Sequence, residues 1–436
     1  MHYLPNILFV IALAFGIGFF VRNVKRLKAS IFQAKPLEVN DHKSERLKQM
    51  FRIAIGQSKM VNKPIAGLLH IVVYVGFIII NIEVLEIVLD GVLGTHRIFA
   101  PLGTFYNVLI ASFEILAVGV ILSVLIFWIR RNIIRINRFI KSEMTGWPKL
   151  DANLILYIEL VLMSLFLIMN AADLSLQQIG AEHYQLAGSF PVASLFLPLF
   201  ESFSVDQLIF IERTAWWLHI LGILAFLNYL YYSKHLHILL AFPNTYYGKL
   251  TPKGQLSNDS QVASEVAQMM DPSFDPYAAP AADAPIPEPF GASDVDELNW
   301  VQLMNAYSCT ECGRCTASCP ANLTGKKLSP RHIMMKVRDR AHEKSTLKRQ
   351  GATDTKKLLG DYITPEELWA CTSCNACVEA CPISIDPLSI IIDMRRYLVM
   401  EQSAAPTELN SMMTNVETNG APWPFNQLDR ANWTNE

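Results

Sequence analysis

The feature that most restricts this chain of 436 residues is a set of five apolar stretches within its first 242 positions. Each is long enough to cross about 30 Å of hydrocarbon as a helix, and none alternates polar and apolar residues as a barrel strand does. The stretches run over residues 3–21, 64–82, 104–129, 152–172 and 214–233. With 51% hydrophobic and only 17% charged residues, the composition excludes a purely soluble enzyme and a disordered chain. We therefore predict a five-helix transmembrane bundle over residues 1–242.

The placement of Lys and Arg predicts the orientation of this bundle. Basic residues crowd the connections between helices 1 and 2 and between helices 3 and 4, whereas the segment 173–206 contains none. Because basic loops stay in the cytoplasm, we expect the N-terminus outside and the C-terminal half inside. The first stretch has no basic residue before it and several after it, which favours an uncleaved membrane anchor over a signal peptide.

All eight cysteines lie in two copies of the pattern C-x2-C-x2-C-x3-C-P. In this pattern three thiolates of one loop bind three irons of a [4Fe–4S] cubane, and the fourth thiolate binds the other cluster. We therefore assign the first cluster to Cys309, Cys312, Cys315 and Cys381, and the second to Cys371, Cys374, Cys377 and Cys319. Zinc is the alternative, but two C-x2-C pairs satisfy zinc and leave the remaining cysteines unexplained.

The cysteines define the soluble part of the chain. Residues 243–295 are rich in Pro, Ala and Asp and predict an extended linker. Periodic apolar residues resume near Asp296, so we place an α-helical dicluster ferredoxin domain at 296–405 and a tail with a possible partner-docking role at 406–436. The whole chain is thus predicted to be all-α. The formal net charge of −2 gives no sign of a strongly basic face, so no nucleic-acid partner is expected.

Histidines at membrane depth are the candidate haem ligands, because ionisable residues there are costly and usually functional. His219 and His237 lie 18 residues apart, which is five turns of a continuous fifth helix, whereas His235 points away from that face. His70 and His237 lie at similar depths near the cytoplasmic side, and we predict that they bind one b haem. For His219 three interpretations stay open: a second haem, a quinone site and a hydrogen-bonded core histidine.

Charged residues also lie near the outer ends of helices 2 and 5. Glu83, Glu86 and Asp90 end the second helix, and Arg213 opens the fifth. They line a quinone or proton path, or they mark helix ends at the interface; the sequence leaves both open. The remaining outer histidines, His96 among them, are expected to be solvated.

Three histidine-containing stretches resemble a known family. GLLHIVV at 67–73, WLHILG at 217–222 and HLHILLAFPN at 235–244 are similar to the cytochrome b (gamma) subunit of respiratory nitrate reductases and to heterodisulfide reductase membrane subunits. That family binds two b haems through two histidines on each of helices 2 and 5. The resemblance implies His70, His219 and His237 as ligands. Ile80 stands at the fourth position, so the resemblance supports the inner haem and leaves the outer one open.

The cysteine-containing part resembles the dicluster ferredoxin-like subunit of heterodisulfide reductase. The similar stretches include CTECGRC, LSPR and LWACTSCNACVEACP. Relatives that fuse both parts often continue into a cysteine-rich module with CCG motifs, whereas no cysteine follows Cys381 here. The closing GAPWPFNQLDRANW is similar to the segment that precedes that module. The resemblance thus implies a separate CCG-type iron–sulfur partner subunit.

The expected function is that of an oxidoreductase subunit in the bacterial or archaeal cytoplasmic membrane. Embedded in lipid, it would relay electrons between the quinone pool, the haem, the two clusters and the cytoplasmic partner. Quinone would be the only substrate with a site in this chain. The alternative is a haem-free membrane-anchored ferredoxin that serves assembly or metal reduction, and a redox sensor is a third interpretation.

Overall fold

The computed structural model describes residues 3–252, 254–256, 258–273, 289–424 and 426–435. Twelve α-helices of eight or more residues lie in these ranges: α1 Leu4–Ile31, α2 Lys43–Met50, α3 Pro64–Leu93, α4 Thr104–Asn132, α5 Trp147–Ile179, α6 Val205–Tyr229, α7 His237–Tyr246, α8 Ser260–Met269, α9 Trp300–Ser308, α10 Pro330–Gln350, α11 Pro387–Arg396 and α12 Thr407–Asn419. Shorter helices are Leu197–Phe200, Arg314–Ala317, Pro320–Leu323, Pro365–Trp369 and Ala376–Ala380. Within the described ranges there is no strand, only two isolated bridges. The predicted all-α class is confirmed.

In the part of the chain that the structure describes, five helices are long and apolar enough to cross a membrane: α1, α3, α4, α5 and α6 with its following turn. They extend beyond the apolar stretches seen in the sequence, because polar residues continue the helices past the hydrocarbon-length core. Large apolar side chains such as Phe15, Val108 and Phe210 remain exposed on them, as lipid-facing residues would be. The helices pack closely at small residues, for example where Gly91 meets the ring of Phe9.

The fifth spanning helix is broken, and the expectation of one continuous helix through His237 is wrong. α6 ends at Tyr229, a 3-10 turn follows, and Ser233 adopts an extended conformation before α7 begins at His237. The side chain of Ser233 accepts a hydrogen bond from the backbone N–H of His235. The side chain of Lys234, which follows Ser233, is 9% exposed and forms an ion pair with Glu311 inside the protein.

The soluble domain packs directly on the basic side of the membrane bundle. The guanidinium of Arg331, fully buried, donates to the carbonyl of Arg138 at 2.7 Å and pairs with Glu143 at 2.7 Å. On a second edge the side chain of Asn244 donates to the carbonyl of Ile383 at 2.7 Å. The α1 end of the bundle joins as well, where the hydroxyls of Ser30 and Tyr307 are hydrogen-bonded. These contacts fix the cysteine loops against the loops that follow or precede the spanning helices.

The linker differs from its expected boundaries at both ends. α7 occupies its first residues, and α8 forms within it. The segment 292–295 is already buried, which places the start of the soluble domain a few residues before Asp296. Residues 274–288, on which the linker prediction mainly depends, lie outside the described residues.

Arg340 explains why the domain starts early. Its guanidinium is fully buried and bonds to Asp294 at 2.6 Å and to Asp354 at 2.7 Å. Burial alone would raise the pKa of Asp294, but hydrogen bonds from Arg340 and Lys344 hold the pKa below its usual value. The ionised carboxylate of Asp294 therefore stabilises the folded domain fully above the unfolded-state pKa of about 4. This stabilisation is lost as the pH falls through the lower folded-state pKa of Asp294.

We expect Arg340→Met to lower the stability of the soluble domain by about 1.5–3 kcal/mol at pH 7, because the buried Asp294 keeps only Lys344 as a partner and the half-buried Asp354 loses its guanidinium. Urea titration of the full chain, read by proteolysis of peptides from residues 289–405, measures this loss. Arg349→Met, at an exposed position of the same helix, is the control and should change stability by about 0.5 kcal/mol or less. The difference between wild type and Arg340→Met should shrink below about pH 4; an undiminished difference there would contradict the ionic origin.

Candidate metal centres

The two cysteine loops have the same backbone form. In each loop the second and fourth residues after the first cysteine adopt positive φ: Glu311 and Gly313 at 54° and 71°, Ser373 and Asn375 at 55° and 58°. Left-handed backbone at a residue other than glycine costs about 1 kcal/mol or more and persists where the surroundings require it. Two loops with one set of dihedral angles indicate one shared structural requirement, the wrapping of backbone around the cysteine sulfurs.

Backbone N–H groups already point at two of these sulfurs. The N–H of Ser373 donates to Cys371 Sγ at 3.4 Å, and that of Ile385 donates to Cys381 Sγ at 3.3 Å. None of the eight cysteines forms a disulfide. Hydrogen bonds to ligand sulfurs are among the features that set the reduction potential of a bound cluster.

The fourth cysteine of each motif lies beside the other motif. Burial raises the pKa of Cys309 to about 12, with repulsion from Cys312 and Cys381 adding to the shift. Burial likewise raises the pKa of Cys377 to about 12, where Cys371 and Cys319 contribute. The groups that interact are thus Cys381 with the first motif and Cys319 with the second, as the predicted ligand sets require. Those sets remain a prediction for mutagenesis.

The raised pKa values bear on what the loops can hold. A buried thiol of pKa near 12 stays protonated at neutral pH unless a cation replaces its proton. Within the described residues, no three His, Cys, Asp or Glu side chains converge as ligands of a single ion would. Five of the thiols, those of Cys309, Cys312, Cys315, Cys377 and Cys381, line one common pocket.

His70 and His237 come together as predicted, with ring centroids 6.4 Å apart. An imidazole that binds a metal at about 2 Å has its ring centre roughly 3 Å from that metal, so two on opposite sides lie roughly 6 Å apart. His237 Nδ1 lies 3.0 Å from the carbonyl of Lys234, which can only accept, so Nδ1 carries the proton and Nε2 the lone pair. His70 Nδ1 is buried without a hydrogen-bond partner. The two imidazoles are close enough that both could hold one iron.

His235 lies close to this pair, and the expectation that it points elsewhere is wrong. The break after α6 removes the helical phase on which that expectation depended. Its ring is 5.5 Å from that of His237, and its Nδ1 is 4.0 Å from Glu159. His235 therefore borders the candidate haem pocket, where it can shape the polarity around the two ligands.

His219 is isolated from the other histidines. It is 1% exposed, its Nδ1 bonds the carbonyl of Leu162 at 3.0 Å, and its nearest ring is that of Phe166 at 6.1 Å. Ile80, the residue at the fourth family position, is itself buried. Of the three interpretations left open by the sequence, this geometry favours the hydrogen-bonded core histidine.

Lys234 joins the histidine pair to the first cysteine loop, a connection that no sequence pattern predicted. Its carbonyl accepts from His237, and its ammonium lies 2.5 Å from the carboxylate of Glu311, between Cys309 and Cys312. Burial alone would raise the pKa of Glu311, but Lys234 and Arg338 hold it below its usual value. The one signal in the sequence is a lysine next to an apolar stretch, which is equally typical of a side chain that reaches the membrane surface.

Arg314 makes a second connection between the loop and the bundle. It lies in the first cysteine motif, is 7% exposed, and donates to the carbonyls of Lys59 and Met60 at 3.2 and 3.4 Å. Those two residues precede α3, the helix that carries His70. Both candidate haem ligands are therefore attached to the first cysteine loop through short polar contacts.

The comparison with known families decides the nature of the cysteine loops. Residues 308–385 match the family of 4Fe-4S dicluster domains. The chain carries a 4Fe-4S dicluster domain. Over 24% of its length the chain is 32% identical to a subunit of the ferredoxin/F(420)H(2)-dependent CoB-CoM heterodisulfide reductase of Methanosarcina acetivorans, covering 52% of that protein. The predicted resemblance to a heterodisulfide reductase subunit is confirmed.

Two longer relatives align with both domains. Over 99% of its length the chain is 28% identical to the probable iron-sulfur-binding oxidoreductase FadF of Bacillus subtilis, covering 61% of that protein. Over 94% of its length it is 26% identical to the EtfAB:quinone oxidoreductase of Syntrophomonas wolfei, covering 57%. The chain thus spans about 60% of the length of these relatives. No solved structure matches it.

Single serine substitutions test whether the fourth cysteine of each motif binds the cluster of the other motif. We expect Cys381→Ser to alter the electron paramagnetic resonance signal that Cys309→Ser alters, and Cys319→Ser to alter the signal that Cys371→Ser alters, because each fourth thiolate belongs to the other motif's cluster. Spectra of the reduced full-length chain provide the measurement. If Cys381→Ser instead shared its spectral change with Cys371→Ser, each cluster would draw all four ligands from one motif.

Proposed function

We propose that this chain is a membrane-anchored electron-transfer subunit of an oxidoreductase. Electrons would move between a quinone in the membrane, a b haem on His70 and His237, the two clusters of the dicluster domain, and a separate CCG-type iron–sulfur subunit. The haem and each of the two clusters would carry one electron at a time. The quinone and the two-domain arrangement are supported by the similarity to an EtfAB:quinone oxidoreductase over 94% of the chain.

The single observation that carries the proposal is the contact between the histidine pair and the first cysteine loop. Lys234 bonds His237 through its carbonyl and Glu311 through its ammonium. Arg314 ties the same loop to the segment before His70. The order of carriers we propose is therefore haem, first cluster, second cluster.

The side of the dicluster domain that faces away from the bundle is suited to electron transfer to a partner subunit. Cys374, in the second motif, is the exposed one of the eight cysteines, whereas Cys309 and Cys319 are buried. The second cluster is thus the one nearer to the surface in this scheme. The basic loops face the dicluster domain, so we propose that this side is cytoplasmic.

The haem is tested by variants of its two proposed ligands. We expect His70→Ala and His237→Ala each to abolish the b-type absorption bands of the purified chain, and a pyridine haemochrome assay to give one haem per wild-type chain. His219→Ala is the matched control, since this buried histidine has no histidine partner, and it should retain the bands. The iron–sulfur signals report folding in all three variants. Bands that persist in both ligand variants would contradict the assignment of His70 and His237 as ligands. A wild-type chain without a Soret band would favour the haem-free ferredoxin alternative.

Lys234 is expected to be a positioning residue between the two kinds of centre. Lys234→Met removes a positive charge beside the first cluster and leaves Glu311 with one cationic partner, so the reduction potential of that cluster should fall and its oxidation of the haem should slow. Lys234→Arg should restore most of the wild-type potential. Lys327→Met, at an exposed ion pair with Glu366, is the control. Redox titration followed by electron paramagnetic resonance measures the potentials; equal potentials in wild type and Lys234→Met would contradict this role.

A further inference from the structure

A cavity of about 630 Å³ lies at the end of the membrane bundle opposite the dicluster domain. It is bordered by the start of α1, the end of α3 and the start of α6, whereas the other end of α1 contacts the soluble domain. Cavities of 300–1,000 Å³ with a few placed polar groups are typical of small-molecule sites. Charged side chains line this one, although it lies among membrane-spanning helices, and that combination is costly unless it serves a function.

One wall of the cavity is aromatic. Phe9, Trp216 and Trp217 all line it, and their ring centroids lie 5.3–6.0 Å from one another. Phe9 and Trp216 are buried. The three rings are tilted against one another by 49°, 68° and 78°, and Trp217, which is half-buried, presents the apolar surface that a flat ring system can contact.

Most charges at the cavity are fully engaged in holding the protein together. The guanidinium of Arg97, which is buried, donates to Asp173, to the hydroxyl of Tyr106 at 3.1 Å and to the side chain of Asn170 at 3.0 Å. Glu86 accepts from the same Tyr106 hydroxyl at 2.9 Å. These groups are already bonded to one another, so we regard them as the frame of the site.

Two buried polar atoms at the cavity have no hydrogen-bond partner. Glu83 is 3% exposed, and its Oε2 is unpartnered. The side chain of His96 is 9% exposed; its Nε2 lies 3.1 Å from Asp173, and its Nδ1 is unpartnered. His96 is therefore not the solvated residue that the sequence suggested. An unpartnered buried polar atom is unfavourable, and a ligand with two hydrogen-bonding oxygens would supply a partner to each of them.

We propose that this cavity binds the head group of a quinone–quinol couple, and that Glu83 and His96 bond its two oxygens. This inference rests on the proposed function and assigns it a site. A planar ring with one oxygen at each end offers one hydrogen-bonding oxygen to each of the two unpartnered atoms and an apolar face to the aromatic wall. When the quinol is oxidised, its two protons pass to Glu83 and to Nδ1 of His96, and its two electrons leave singly to the carriers proposed above. In the opposite direction the same two groups return the protons to the quinone oxygens.

The site also decides between the two interpretations of the charged residues at the outer helix ends. Residues that only marked an interface would face headgroups and water. Glu83 instead lines this cavity, and its side chain is buried in the bundle. Its neighbours Glu86 and Asp90 bond backbone N–H groups of the loop after α3 and so shape the cavity floor.

The test uses the full chain in lipid nanodiscs with menadiol, a quinol without an isoprenoid tail, under anaerobic conditions. Calorimetry gives the Kd, and the rate of haem reduction by menadiol gives the oxidation step. We expect Glu83→Gln to keep the Kd within about threefold, because the amide still bonds an oxygen, but to slow oxidation about 100-fold, because it takes no proton. Glu83→Leu should raise the Kd at least about tenfold, since it removes the bond. His96→Gln should follow Glu83→Gln.

Glu201→Gln is the control, since Glu201 is an exposed carboxylate at the same end of the bundle. It should leave both the Kd and the rate unchanged. Unaltered binding and unaltered oxidation in Glu83→Gln and Glu83→Leu, while wild-type menadiol still reduces the haem, would overturn this site alone. Menadiol binding that depends on Glu83 without any haem reduction would overturn the proposed function and leave the site standing. Absence of saturable binding to the wild type would overturn the site assignment.

Discussion

The ion pair between Lys234 and Glu311 is the contact on which the relation between the two domains depends. Lys234 Nζ and Glu311 Oε2 lie 2.5 Å apart, and both side chains are almost fully buried. A buried pair of this kind adds little net stability, because desolvation of both charges offsets their attraction. The pair does select one arrangement of the two domains, however, because burying Lys234 or Glu311 without the other would be strongly unfavourable. The pair thus fixes which part of the bundle meets the first cysteine loop.

This contact also accounts for the break in the fifth spanning helix. A continuous helix would carry Lys234 outward along the bundle and leave Glu311 without its lysine partner. The extended Ser233 lets the chain turn, so that the N–H of Lys234 donates to Asp151 at 3.1 Å and its carbonyl accepts from His237. The lost helical hydrogen bonds are replaced by side-chain partners, as buried backbone requires. A histidine ligand and a cysteine loop are thereby positioned by one residue.

The two ends of the bundle have different chemistry. At the basic end, imidazoles and thiols are brought together by polar contacts that cross the domain boundary. At the other end, Arg97 gathers Asp173, Asn170 and Tyr106 into a buried network that surrounds a cavity. Between them lies an apolar layer that includes Phe113 and Phe166, in which His219 is hydrogen-bonded to the backbone. A carrier chain from one end to the other has to cross that layer.

The sequence by itself determined the helical class, the five spans and the two cysteine motifs, because helix period, apolar length and ligand spacing are local properties of the chain. It also paired His70 with His237, since both depths could be counted from neighbouring charges. Only the tertiary structure decided the broken helix, the proximity of His235, the burial of His96 and the cavity at Glu83. Each of these depends on partners far apart in sequence, such as Lys234 and Glu311, 77 residues apart. Their pairing reflects the cost of burying charge, which no local pattern records.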